Sequence, residues 1–200
     1  MIVPMKTDEK YIPALNFDWL TPLYDPLVRW LMPESKFKSQ LVRQACVRAG
    51  QRVLDVGCGT ATLTILIKQT HAEAEVFGLD GDANILEIAR RKAAKAGVSL
   101  TFQEGMAYSL PYADASFDRV LSSLMFHHLT PENKRRALVE VFRVLRPDGE
   151  LHLADFSKPN ASLPEMFREA GFERIEESAK YKTLLGALSL WRAKRLSEPL

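Results

Sequence analysis

The sequence predicts an α/β protein built on a doubly wound, mainly parallel seven-stranded sheet. Three observations carry this. From Arg52 onward, short apolar runs alternate with helical patterns, the order that yields parallel strands joined by crossover helices. Gly50, Gly97 and Gly171 each follow a helical pattern, where a residue able to turn left-handed ends a helix. The last two apolar runs have no helical pattern between them, so they pair antiparallel.

The elements follow in order. Residues 11–33 are aromatic and punctuated by Pro13, Pro22, Pro26 and Pro33. Within them Asp25 and Pro26 read as N-cap and first position of a short helix to about Met32. A second helix is expected over 36–49, where Leu41, Val42, Ala45, Cys46 and Ala49 keep helical spacing. Strands are then expected over 52–56, 75–80, 99–103, 117–123, 150–156, 172–181 and 187–194. Helices are expected over 61–70, 83–96, 131–145 and 163–170. Asp82 stands where the N-cap of the 83–96 helix belongs, and Pro131 near the start of the 131–145 helix. Residues 1–35 form a helical or irregular cap in this reading, and 36–200 one larger domain.

Bulk properties narrow the function. The chain has 200 residues, 46% hydrophobic and 26% charged, with a formal net charge of +2. Such a chain buries a core without staples, and its near-balanced charge lacks the basic bias of a nucleic-acid binder. The clusters Arg90-Arg91-Lys92 and Lys134-Arg135-Arg136 fall on helical patterns and read as solvated faces. Cys46 and Cys58 are the only cysteines, which gives neither a disulfide framework nor zinc-ligand spacing. Lys6, Asp8, Glu9 and Lys10 interrupt any secretory apolar segment, and no run approaches the roughly 20 apolar residues of a membrane helix. The expected location is a reduced cytoplasm.

In open α/β sheets, ligands bind where strands exit at their carboxyl ends. The first strand exits into Gly57-Cys58-Gly59, ahead of a helix. Glycines there admit a ligand close to the backbone, although a tight structural turn has the same spelling. The second strand exits at Asp80, about 20 residues on, the spacing of a ribose-binding acid. Together the two exits describe a nucleoside site. A dinucleotide fingerprint, however, requires glycine where Thr62 stands. Asp55 beside the turn would also repel a pyrophosphate. A ligand with a cationic centre and no phosphate fits better, and S-adenosylmethionine has one. Its carboxylate would then lie on the N–H groups of the glycine turn, and Asp55 would complement its positive end.

Four segments extend this reading. "VLDVGCGTATLT", "VFGLDGDANIL", "GMAYSLPYADASFDRVLSSLMFHHL" and "RVLRPDGELHLADF" occur in that order. They resemble the successive motifs of class I S-adenosylmethionine-dependent methyltransferases, which share a Rossmann-like fold. The nearest flavour is the subgroup of ubiquinone/menaquinone-biosynthesis methyltransferases. "FDWLTPLYDPL" resembles that subgroup's N-terminal element, and "MFREAGFERIEE" with "GALSLWRAKR" its usual ending. The resemblance implies that Asp55, Gly57, Cys58, Gly59 and Thr60 surround the methionine part of the cofactor, Cys58 through its backbone. Asp80, with Gly81 beside it, would hold the ribose hydroxyls. Met106 and Ala107 would flank the adenine, with Met106 where the family usually has an acid. Ser122 and Ser123 would line the cleft, and Tyr24 would close over the carboxylate end.

The cofactor carries the activation in methyl transfer, so the protein chiefly aligns reactants and excludes water. A side-chain base is required only for a nucleophile that holds a proton. His127 is the candidate, since it follows Ser122 and Ser123, with His128 next to it; a loop or cap histidine is the plain alternative. Between 156 and 163 the chain has only "SKPNAS", where many relatives insert part of a lid. The aromatic 1–35 segment is therefore expected to cover a small apolar, aromatic or lipid-like acceptor, and no nucleic acid is expected. Two other functions compete: a non-catalytic nucleoside binder, which Met106 favours, and an NAD-dependent oxidoreductase, which Asp55 and Thr62 oppose.

Overall fold

The computed structural model describes residues 34–156, 163–183 and 186–197. Tyr24, the expected 25–32 helix and the "SKPNAS" connection lie outside the described residues. The elements are α1 (Glu34–Ala45), β1 (Arg52–Val56), α2 (Thr62–Thr70), β2 (Glu75–Asp80), α3 (Ala83–Lys95), β3 (Thr101–Glu104) and β4 (Phe117–Ser123). A 3₁₀ turn (Phe126–His128) follows, then α4 (Pro131–Val144), β5 (Leu145–Phe156), α5 (Leu163–Glu169), β6 (Glu173–Thr183) and β7 (Gly186–Lys194). The seven strands form one sheet in the order β3-β2-β1-β4-β5-β7-β6. All pairings from β3 to β5 are parallel, and β7 is antiparallel to both β5 and β6, as the missing crossover helix predicts.

Two hydrophobic clusters cover the sheet. On one face, Leu54, Val56, Val120 and Leu153 pack with Leu138 and Val141 of α4 and Phe167 of α5. On the other, Val53, Leu121 and Ala154 pack with Phe37 and Leu41 of α1 and Leu63 and Ile67 of α2. Alternate residues of β1 thus serve opposite faces, the period-two pattern of a strand buried on both sides. The strand order reverses between β1 and β4, so the carboxyl ends there open a crevice suited to a ligand.

Most elements differ from expectation by one or two residues at a boundary, and α1, β5 and β3 illustrate the differences. Helix α1 stops at Ala45, not at 49, because Cys46 turns left-handed (φ 45°) and donates its N–H to the Arg43 carbonyl. Strand β5 begins at Leu145, five residues early, since Leu145 already pairs with Phe117 before the chain bends at Asp148 (φ 64°). The β3 strand starts at Thr101 rather than 99. Asp82 caps α3 as expected, its carboxylate accepting from the N–H groups of Asn84 and Ile85. Thr130 caps α4 ahead of Pro131. At the other end of α4, Arg195 donates to the carbonyls of Phe142, Arg143 and Leu145, satisfying acceptors that a helix end leaves open.

Candidate functional site

The turn after β1 is held from beneath. The N–H groups of Gly57 and Cys58 both donate to the Leu79 carbonyl, at 2.8 and 2.9 Å. Gly59 donates to Asp80 Oδ2 at 2.9 Å. The three N–H groups are therefore engaged within the protein, and the expectation that they receive a ligand carboxylate is corrected. Gly57 has φ 71° and lies so close to Met125 that a Cβ there would sit 2.3 Å from Met125 Cγ. Gly59, φ 52°, has no heavy atom within 4 Å of the place a Cβ would take. One glycine is set by close approach and the other by conformation. Thr60 accepts from Lys92 Nζ of α3 at 2.8 Å, and the Cys58 thiol is buried against Gly78.

Asp55 is 1% exposed. Its Oδ2 accepts from the Thr64 hydroxyl at 2.6 Å. Helix α2 has Ala61 at its N-cap and no side-chain cap, so Asp55 supplies a negative group near its first turn from the preceding strand. Burial raises the Asp55 carboxyl to about 6, against the opposing pull of the Thr64 hydroxyl and of Lys38. Lys38 is itself buried and paired with Glu34. The second oxygen, Oδ1, is buried with no hydrogen-bond partner among the described residues. A buried acceptor left this way calls for a donor, and a cationic ligand group would serve.

Asp80 at the β2 exit joins the glycine turn to the next bend, since its Oδ1 accepts from the Asp82 N–H at 3.1 Å. Burial raises its carboxyl, while the Gly59 and Asp82 N–H groups oppose that shift. Both oxygens keep lone pairs for hydroxyl donors. Gly81 lies half-buried beside it. The Asp80 carbonyl accepts from Gly105 N–H, which brings Met106 and Ala107 to the same edge. Met106 is half-buried and bridges to Ser109, and Ala107 is buried.

On the β4 side the two serines separate. Ser122 is fully buried and its hydroxyl donates to the Val56 carbonyl at 2.7 Å; its expected place lining the cleft is corrected, because the side chain ties β4 to β1. Ser123 is half-buried at the strand's end. Leu124 then takes a left-handed conformation (φ 58°), with its N–H on the Ala154 carbonyl. A leucine at positive φ is strained and held by its surroundings. The bend sets Met125 against Gly57 and leads into the 3₁₀ turn that carries His127. Asp155, at the end of β5, takes His127 at two points: Oδ2 accepts its backbone N–H at 2.9 Å, and Oδ1 lies 2.7 Å from its Nδ1. Asp155 is 4% exposed, and the His127 side chain 22%. The His128 ring lies 4.0 Å from that of His127 between centroids, tilted by 40°, and Phe156 stands edge-on at 5.3 Å. Burial, with His127 second, lowers the pKa of His128.

The fold thus gathers Asp55, Gly57, Gly59, Thr60, Asp80, Met106, Ala107, Ser123 and His127 along one edge of the sheet. Asp155, Thr64 and Met125 went unrecognised in the sequence. Asp155 carried a usable signal, an acid closing an apolar strand at a sheet exit. Thr64 and Met125 carried none, because the role of each depends on a contact, with Asp55 and with Gly57, that residue type alone does not announce.

Comparison with known proteins now decides the family. Residues 53–149 match the model of a methyltransferase domain. The demethylmenaquinone methyltransferase of Thermus thermophilus is 34% identical over 161 residues, covering 80% of this chain and 72% of that protein. The chain belongs to the class I S-adenosylmethionine-dependent methyltransferases. Within that family it falls in the ubiquinone/menaquinone-biosynthesis-like subgroup. This methyltransferase is also 35% identical to the Deinococcus radiodurans demethylmenaquinone methyltransferase over 149 residues, 74% of this chain and 61% of that protein, so it spans about three-fifths of the latter's length. The structure of YcgJ from Bacillus subtilis aligns with a TM-score of 0.70 at 22% identity, over 80% of this chain and 98% of that one. The methyltransferase therefore uses S-adenosylmethionine, and the oxidoreductase reading falls with the missing third glycine. The cofactor fits these residues on a structural ground: Asp55 Oδ1 lacks a donor among the described residues, beside a turn in which Gly59 faces open space. No helix among the described residues is long and apolar enough to cross a membrane.

Proposed function

We propose that this methyltransferase methylates a small aromatic acceptor of the hydroquinone type, the reduced form of a demethylmenaquinone-like molecule. The observation that carries the reading is the likeness to two demethylmenaquinone methyltransferases at 34% and 35% identity. His127, after the neighbouring strand β4, and Phe156, at the end of β5 two strands from β1, bring an imidazole and an aromatic ring together at the carboxyl end of the sheet, which supports an aromatic acceptor.

The cofactor supplies an activated methyl group. Asp80 holds the ribose hydroxyls, Asp55 Oδ1 complements the cationic end, and Gly57, Gly59 and Thr60 leave room for the methionine part. Met106 packs on the adenine through its thioether, with the backbone of Ala107 at the ring edge. Ser123 lines the floor, and His127 accepts a proton from the acceptor. Residues 1–35, Tyr24 among them, cap the acceptor, and 36–200 form the methyltransferase domain. The decisive test is incubation with methyl-labelled S-adenosylmethionine and demethylmenaquinone in reduced and oxidised forms. Label is expected in the reduced form only. Label in added RNA, or none in the quinol while S-adenosylhomocysteine still binds, overturns the acceptor assignment; the second outcome makes the chain a binder.

A further inference from the structure

Asp155 is bound up with His127 more closely than a structural tie requires. One carboxylate engages both the backbone N–H and the ring Nδ1 of the same histidine, and its Oδ1 also accepts the Phe156 N–H. An ionised carboxylate only accepts hydrogen bonds. The proton shared with Oδ1 therefore resides on His127 Nδ1, which leaves Nε2 as a lone-pair acceptor. No hydrogen bond occupies Nε2 among the described residues, and the ring is partly open to solvent while Asp155 is closed off. The strained Leu124 and its bond to Ala154 present the turn to β5 in this register.

We propose that Asp155 is a positioning residue that fixes the Nδ1–H tautomer of His127, making its Nε2 the base for acceptors whose hydroxyl is un-ionised. This rests on the hydroquinone reading above and adds a rule of selectivity to it. The acceptor hydroxyl gives its proton to Nε2, and the electron pair left on oxygen flows into the ring. A ring carbon then bonds the methyl group as the methyl–sulfur bond breaks and its pair returns to sulfur. Loss of the proton from that carbon restores the aromatic ring, and the oxygen recovers its proton from His127. One proton is released overall, and no oxidant or reductant is consumed. Imidazolium formed during the step sits against the Asp155 carboxylate, the arrangement that stabilises a charged histidine between proton transfers.

The test uses the full chain with Asp155→Asn and His127→Gln. Acceptors are a series of ring-substituted naphthohydroquinones of graded hydroxyl acidity, read as kcat and KM separately. For the least acidic member, kcat is expected to fall by about 100-fold or more in either variant, with the affinity for S-adenosylhomocysteine unchanged. The loss should shrink as the hydroxyl becomes acidic enough to ionise unaided. Nitrogen-15 NMR of labelled histidine should show the Nδ1–H tautomer of His127 in the wild type and its loss in Asp155→Asn. Should Asp155→Asn fail to fold, His127→Gln carries the kinetic comparison alone. A wild type active on the series with variants equal to it in kcat overturns the dyad and leaves the acceptor reading standing. So does a uniform loss across the series accompanied by weaker cofactor binding. A wild type inactive on every member refutes the acceptor class and this assignment with it.

Discussion

The backbone N–H of Gly59 meets Asp80 Oδ2 at 2.9 Å, so the exits of β1 and β2 share a hydrogen bond. Asp80 consequently stands in two relations, to the turn and to the proposed ribose. Asp80→Ala removes both, and affinity for S-adenosylhomocysteine is expected to fall by about 10- to 100-fold, the weight of a hydrogen bond to a charged group. Calorimetry checks this. An unchanged affinity would remove the ribose role.

Asp55 predicts opposite signs for stability and binding. Its carboxyl titrates near 6 in the fold against 3.8 ordinarily. Between those values the folded chain holds a proton that the unfolded chain has released, so stability falls as pH rises through that window and the burden is complete above it. Asp55→Asn keeps an acceptor for Thr64 and removes the charge. The ligand-free variant is expected to be more stable than wild type at pH 7.5, by up to about 3 kcal/mol, and no more stable below pH 4. Thermal unfolding at both pH values measures this. Cofactor affinity should drop in the same variant.

Two glycines with similar backbones should respond differently to alanine. Gly57→Ala meets Met125 Cγ at 2.3 Å as well as a positive φ, whereas Gly97→Ala (φ 67°) opens into empty space. Denaturant unfolding is expected to show about 1–2 kcal/mol for Gly97→Ala, the conformational penalty alone. Gly57→Ala adds overpacking of about 1–3 kcal/mol. Equal losses would mean that Met125 yields freely.

Cys58 separates packing from binding. Cys58→Ala should leave cofactor affinity unchanged while lowering stability by about 1 kcal/mol, because a buried sulfur is removed. Burial, with Asp55 and Asp80 next, pushes the thiol's pKa up, which keeps it out of its nucleophilic form. Iodoacetamide is therefore expected to label the exposed Cys46 and to spare Cys58 until the chain unfolds. Mass spectrometry of the labelled peptides decides this.

Periodicity and punctuation read well wherever one chain segment decides its own state. The strands at 75–80 and 117–123 and the Asp82 cap needed only local pattern. The end of α1 did not, because a left-handed Cys46 breaks the helix four residues before the glycine that signals a stop. The position of an acid at a strand exit was legible by residue type and spacing, as for Asp80 at the end of β2. The finer assignment of exit residues was hidden in pairings across the sheet. Ser122 faces Val56 rather than the cleft, and His127 gains its partner from a strand 28 residues on.

Met125 packs against Gly57, and Leu79 and Asp80 hold the three N–H groups of the turn. The protein's own contacts thereby fix the shape of the turn. Binding then draws little on the protein's own conformational entropy, and the ordering penalty falls on the small molecule that enters. Among variants of this turn, affinity should track how fast the ligand leaves rather than how fast it arrives.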